Sequence, residues 1–256
     1  MSQDLRGFVQ LAALAAVGVS CLMVAACGQG SSAAVGGASG ASASASSTPD
    51  PLAGLSASEI VAKAIANLEA ASSLTMDGSL LISGQPFTLS LGIKPGEGCT
   101  GSIGLGDKGN IKLILIGKTV YINADDAYWE ATAGSKADAA IQWANGRYIK
   151  TTTSSMTGVT NLCDLSQVLG PVKPSETMTK GKLTTLDGVK ALQITAGRNA
   201  WLYVSDTAKP ELIGLESPEG SSDLIAGVLS FSPGAPVTLT APPASDVVEG
   251  STAPES

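Results

Sequence analysis

Apolar and polar positions change period several times along the chain, and each change marks an element. Ser56-Ala57-Ser58-Glu59 has the form of a capping box, with Ser56 as N-cap and Glu59 reaching back to it. Ile60, Val61, Ala64, Ile65 and Leu68 then recur at helical spacing, with Lys63, Asn67 and Glu69 off that stripe. This spacing predicts a helix over residues 57–72. The period then drops to two. Met76, Leu80 and Ile82 share one face, and Phe87, Leu89, Leu91 and Ile93 alternate with Thr88, Ser90, Gly92 and Lys94. Further strands are predicted in CTGSIGLG, NIKLILIG and KTVYINAD, joined by Gly-rich turns. Short connections between neighbours favour an antiparallel meander.

The middle is less regular. Residues 134–144 predict a short helix, 146–150 a brief strand, and 160–170 a second helix with Leu162, Leu165, Val168 and Leu169 on one face. Strands return in GKLTTLDG, VKALQITAG, AWLYVSD, ELIGLES, LIAGVLSFS and VTLTAP, the last at 237–242. Strands and helices do not alternate, so the class is α+β. The expected architecture is a strongly curved antiparallel sheet of about ten strands, a half-open β-barrel, with two or three helices packed on its concave face.

The amino terminus has a different pattern. Residues 7–26 carry no charge, follow Arg6 and end in small side chains. The run closes on Val24-Ala25-Ala26-Cys27, the form of a bacterial lipobox. Residues 1–26 are therefore expected to be a lipoprotein signal peptide. Cys27 is the expected lipidation site, carrying a diacylglycerol and palmitate. Residues 27–51 are Gly, Ala and Ser-rich, too poor in apolar side chains to offset their ordering entropy. Such a tether of about 24 residues reaches roughly 25–30 Å. The expected folded domain is 52–241, and 242–256 is expected to be a disordered tail. The chain is expected to be exported and held at the outer face of the cell membrane by its lipid anchor.

Composition narrows the chemistry. Fifteen Lys and Arg stand against 22 Asp and Glu, a formal net charge of −7. That balance argues against nucleic acid and against electrostatic docking on anionic lipid. There is no histidine. Ser-His-Asp and Cys-His catalysis are therefore excluded within this chain. Gly104-Leu105-Gly106-Asp107-Lys108-Gly109 matches a dinucleotide-binding spacing but joins strand to strand, so it lacks the required helix. Asp125-Asp126 is read as a surface turn. Trp129, Trp143 and Trp201 are read as core or rim. No cofactor or metal is expected, and the chain is not read as an enzyme.

Cys21 leaves with the signal peptide, so Cys99 and Cys163 remain. In an oxidising compartment two cysteines of one domain usually pair. A bond closing about 65 residues contributes roughly 4 kcal/mol in the chain-entropy model. There is no Cys-x-x-Cys motif to lower a thiol pKa, so the expected role is structural.

Four segments carry a family resemblance. Gly98-Cys99-Thr100-Gly101-Ser102-Ile103 is followed by Gly117-Lys118-Thr119-Val120-Tyr121-Ile122, then Tyr128-Trp129, then Gly146-Arg147-Tyr148-Ile149-Lys150. Their order and pattern resemble actinobacterial lipoproteins of the LppX/LprG type, related in fold to the periplasmic lipoprotein carrier LolA. The resemblance implies a curved sheet wrapped around helices and enclosing an apolar cavity. Members of such families bind acylated lipids or lipoproteins and carry them between membrane and envelope. The same fold also serves regulators, so fold alone does not fix function.

The expectation is a membrane-anchored lipoprotein that binds an acylated lipid or other hydrophobic ligand, for transport or retention in the envelope. Ile65, Leu68, Leu89, Leu91, Leu113, Leu115 and Leu165 are the candidate cavity residues. The alternative is a surface-tethered sensor or interaction module that binds an envelope protein.

Overall fold

The computed structural model describes residues 50–197, 200–218 and 225–252. The expected signal peptide, Cys27 and the tether up to residue 49 lie outside the described residues. The first helix, α1 (Ala57–Glu69), starts as the sequence predicts. Ser56 Oγ accepts from Glu59 N–H at 3.2 Å, and Glu59 Oε2 accepts from Ser56 N–H at 2.7 Å. The helix ends three residues before the expected position 72. Ser73 has been recruited elsewhere: its carbonyl accepts from Gly234 N–H at 2.8 Å and its hydroxyl donates to Ala235 O at 2.7 Å. Those bonds draw the chain out of the helix and into the sheet.

Among the described residues twelve strands form one curved, unclosed sheet, two more than the expected ten or so. The first run is β1 (Leu74–Ile82), β2 (Gln85–Lys94), β3 (Gly98–Gly104), β4 (Asn110–Ile116) and β5 (Thr119–Ala124). Two helices follow, α2 (Asp126–Ala133) and α3 (Ala137–Ala144), and then β6 (Tyr148–Thr152). Next come α4 (Thr157–Thr160) and α5 (Leu165–Leu169). The second run is β7 (Thr179–Leu186), β8 (Val189–Ala196), β9 (Ala200–Ser205), β10 (Leu212–Ser217) and β11 (Ile225–Pro233). A short β12 (Val247–Glu249) closes the series. The spatial order is β12-β6-β5-β4-β3-β2-β1-β11-β10-β9-β8-β7. Two antiparallel meanders therefore meet at β1 and β11, which pair from Leu74–Pro233 to Ile82–Ile225.

The sheet is mixed, because β12 lies parallel to β6. Residues from 242 on, expected as a disordered tail, thus supply an edge strand, fixed further by Lys150–Glu249 at 3.0 Å. Residues 237–242, expected as a strand, are not one. They keep the alternation, with Val237 and Leu239 half-buried between exposed neighbours, but belong to a strap that leaves β11 and reaches the far edge. The strap passes over β2 on the face opposite the core. An added Cβ at Gly92 would lie 3.0 Å from Val237 Cγ2, so Gly92 makes the room that the crossing needs.

The expected helix over 160–170 is broken. Residues 157–163 form α4 and a 3-10 turn, and Asp164 then caps α5 by accepting from Ser166 N–H at 2.9 Å. The expected Asp125-Asp126 turn is the start of α2, with Asp125 as its N-cap, accepting from Tyr128 N–H at 3.0 Å. Five α-helices therefore stand among the described residues where two or three were expected. The glycines of Gly98-Cys99-Thr100-Gly101 have a steric reason. A Cβ at Gly101 would sit 2.0 Å from Ser90 O, and one at Gly98 would sit 1.9 Å from Leu115 O.

One hydrophobic core underlies α1 and α5. It joins Ile60, Val61, Ala64 and Leu68 of α1 to Leu74, Met76, Leu91, Ile93, Leu113 and Val120 of one meander and to Ile194, Val204 and Leu212 of the other. A smaller cluster of Ala191, Tyr203 and Ile213 lies on the opposite face of the second meander.

Candidate ligand groove

α1 and the segment holding α4 and α5 are attached to the sheet in different ways. α1 lies on β7, β9 and β10. The segment holding α4 and α5 is fastened to β3, where Cys163 forms a disulfide with the buried Cys99, Cα atoms 5.6 Å apart. Leu165 and Leu169 drop from α5 into the core, and Met156, Val159, Leu162, Val168 and Val172 pack partly against it.

Between the two parts runs a groove of about 350 Å³. Ala62, Ile65, Ala66 and Glu69 of α1 form one wall, and Ser166, Leu169, Gly170, Val172 and Pro174 form the other. The wall from α1 is the flank of its buried stripe, one helical step around from Val61 and Leu68. Its two alanines present only methyl groups and leave the space between the helices unfilled. The volume lies at the lower end of small-molecule sites. A second depression, about 310 Å³, lies at the end of the second meander and mixes Leu186, Val189, Ile213 and Phe231 with Asp187, Ser205, Thr207 and Glu211.

Of the seven candidate cavity residues, only Ile65 lines the groove. Leu68, Leu89, Leu91, Leu113, Leu115 and Leu165 are buried together in the core. Leu169, Val172, Ala62 and Ala66 were not singled out from the sequence. Leu169 stood on the predicted apolar face of 160–170. The two alanines had only their position beside the buried stripe to mark them.

Asp125, Tyr128 and Tyr203 are moved from their ordinary ranges by their surroundings. Burial works against the ionised form of Asp125, but hydrogen bonds from the backbone and side-chain amides of Asn110 and from Tyr128 N–H outweigh it and hold the carboxyl below its ordinary range. Burial pushes the Tyr128 phenol up. It also pushes up Tyr203, whose hydroxyl donates to Glu216. Among the described residues, no three His, Cys, Asp or Glu stand close enough to hold a metal ion, and no helix is long and apolar enough to cross a membrane. The glycine run 104–109 joins β3 to β4 through a 3-10 turn, with no helix following. Trp129, Trp143 and Trp201 are all half-buried; Trp129 meets Tyr128 edge to face with ring centroids 5.4 Å apart.

No family model matches the chain, and no curated protein matches its sequence. Solved structures do match. LprF from Mycobacterium bovis aligns over 73% of this chain and 96% of its own, at 15% identity and a TM-score of 0.50. The Mycobacterium tuberculosis lipoprotein LppX aligns over 72% and 98%, at 9% identity and a TM-score of 0.44. A LolA superfamily protein from Nitrosomonas europaea aligns over 70% and 92%, at 11% identity and a TM-score of 0.24. The shared fold rests on the first of these. The chain therefore has an LprF-like fold, of the LppX/LprG kind that its segments resemble.

Proposed function

We propose that this chain is an exported lipoprotein, anchored through Cys27 at the outer face of the cell membrane, that binds the acyl chains of a lipid or a similar hydrophobic ligand between α1 and α5. The observation that carries this reading is the groove. Its walls belong to two separately attached parts of the helical layer, and beneath both lies one continuous apolar core. In this reading α1 and α5 sit inside the curve of the sheet. An acyl chain entering at the groove replaces helix-to-helix contact with helix-to-ligand contact, gaining about 0.8 kcal/mol for each methylene taken from water. No bond is made or broken. Glu69 and Ser166 are the polar groups at the groove, placed to meet a ligand's polar end. The LprF-like fold and the lipobox at Val24–Cys27 support the same reading from independent directions.

The test is a titration of the protein with a fluorescent acyl-chain probe. Wild type should bind it saturably, and Ile65→Glu and Leu169→Glu should each weaken binding at least tenfold by putting a carboxylate in the apolar walls. Equal binding by all three proteins, or none by wild type, would contradict the reading.

A further inference from the structure

The charge of the chain is acidic overall but is not spread evenly, and the exception lies at one edge of the sheet. The β7–β8 hairpin carries Lys180, Lys182 and Lys190 against a single carboxylate, Asp187, at its turn. It also carries two of the three exposed large hydrophobic side chains among the described residues, Leu183 at 63% exposure and Val189 at 43%; the third is Val228 at 38%. Lysines on an edge strand protect it from pairing with other chains. That role accounts for Lys180 and Lys182 on β7, but not for Lys190 on β8 or for the exposed leucine and valine beside them.

The same edge lies where the folded chain begins. Lys180 Nζ donates to Leu52 O at 2.9 Å, so the first described residues sit against β7. A chain anchored through Cys27 enters the domain beside this hairpin. Leu183 pairs with Leu192 and Val189 with Leu186, which sets the two exposed side chains on opposite faces of the hairpin. An edge-on approach therefore brings both to a surface at once.

We propose that the β7–β8 hairpin docks edge-on against anionic lipid headgroups next to the anchor. The lysines meet the lipid phosphates while Leu183 and Val189 enter the headgroup layer. This inference rests on the Cys27 anchor of the proposed function. Near an anionic surface each lysine favours contact by about fivefold, so three give an effect on the order of a hundredfold. That is weak for a free protein. It suffices for a tethered one, whose hairpin is held at high effective concentration. The opposing groups are Asp187 at the turn, Glu211 in the depression beside Val189, Asp206, whose N–H donates to Lys190 O, and Glu59, which sits within electrostatic reach of Lys180.

The test uses the full-length lipidated protein with an environment-sensitive fluorophore on Leu183→Cys, mixed with phosphatidylcholine vesicles that contain or lack phosphatidylglycerol. The label should shift to the blue and be quenched by brominated lipid in the anionic vesicles, at least fivefold more than in neutral ones. High salt should reverse this, as should Lys182→Gln/Lys190→Gln, which leaves the Lys180–Leu52 bond intact. A label on Val228→Cys should stay unquenched. Protein that floats with the vesicles while Leu183→Cys stays unquenched overturns the docking and leaves the anchor standing. Protein that does not float overturns both. Equal quenching in neutral vesicles, or shielding only after an acidic protein is added, also overturns the proposal.

Discussion

The two meanders of the sheet are built by different rules. In β1–β6 the ladders run without a break, and β2 alternates most clearly, with Leu89, Leu91 and Ile93 buried and Thr88 and Ser90 exposed. One face is core, and the other is a mixed surface partly covered by the strap at Val237. In β7–β11 the register shifts twice, between Lys180 and Leu183 and between Leu212 and Gly214. Buried residues there occur in succession, as in Leu202, Tyr203, Val204 and Ser205, because the small cluster of Ala191, Tyr203 and Ile213 occupies the second face. The first meander is a regular platform. The second carries α1, the irregular edge and the entry of the chain. The groove draws one wall from α1 on the second meander and the other from the segment that the disulfide fastens to the first.

Core truncations should separate the two regions most strongly. Leu113, fully buried at the centre of the first meander, should cost roughly 2–5 kcal/mol when cut to alanine. Ile213→Ala, in the satellite cluster, should cost less, because a cluster of so few residues leaves room to collapse. Denaturant midpoints of both variants check the ranking, and an equal loss would erase the distinction between main core and satellite.

Removing the disulfide comes next. Cys99→Ala/Cys163→Ala should lower stability by roughly 2–4 kcal/mol. Hydrogen exchange should rise over residues 156–178 and in β3 while β8 and β9 stay protected. A uniform rise would mean that the bond holds both meanders equally.

Ser56→Ala removes the cap of α1 and should cost about 1 kcal/mol. Because α1 rests on β7, β9 and β10, its exchange footprint should fall on the second meander.

The smallest effect is one of pH. The Asp125 carboxyl is held below its ordinary value near 3.8, so its contribution is complete above that pH and is lost as pH falls through the lower folded value. Asp125→Asn should therefore flatten part of the acid limb of stability below about pH 4. An unchanged acid limb would show that the Asn110 and Tyr128 bonds add nothing measurable.

The same contrast decides what could be read from the chain. FTLSLGIK is legible because one face is buried and one is wet, so period two survives into the structure. AWLYVSD gave its strand but not its second buried face, since that depends on Ile213 arriving at a bulge in another strand. Asp125 looked like a turn because its role as a cap appears only with Asn110 and Tyr128 beside it. The helix over 160–170 had the right apolar spacing, but the cap at Asp164 and the bond at Cys163 divide it. β12 was invisible because three residues in a Ser and Pro-rich tail acquire strand character only from β6, some hundred residues earlier. At the candidate site, hydrophobicity pointed to the core, and six of the seven chosen residues lie there. The groove is lined instead by residues beside them, among them Ala62 and Ala66, whose small side chains give little hydrophobic signal.

The most direct measurement is native mass spectrometry of the lipidated protein released from its own membranes. The mature chain should begin at Cys27 with its covalent diacylglycerol and carry a second, non-covalent acylated species that is lost from Leu169→Glu. A spectrum showing the covalent lipid alone, in wild type and variant alike, would contradict a ligand between α1 and α5.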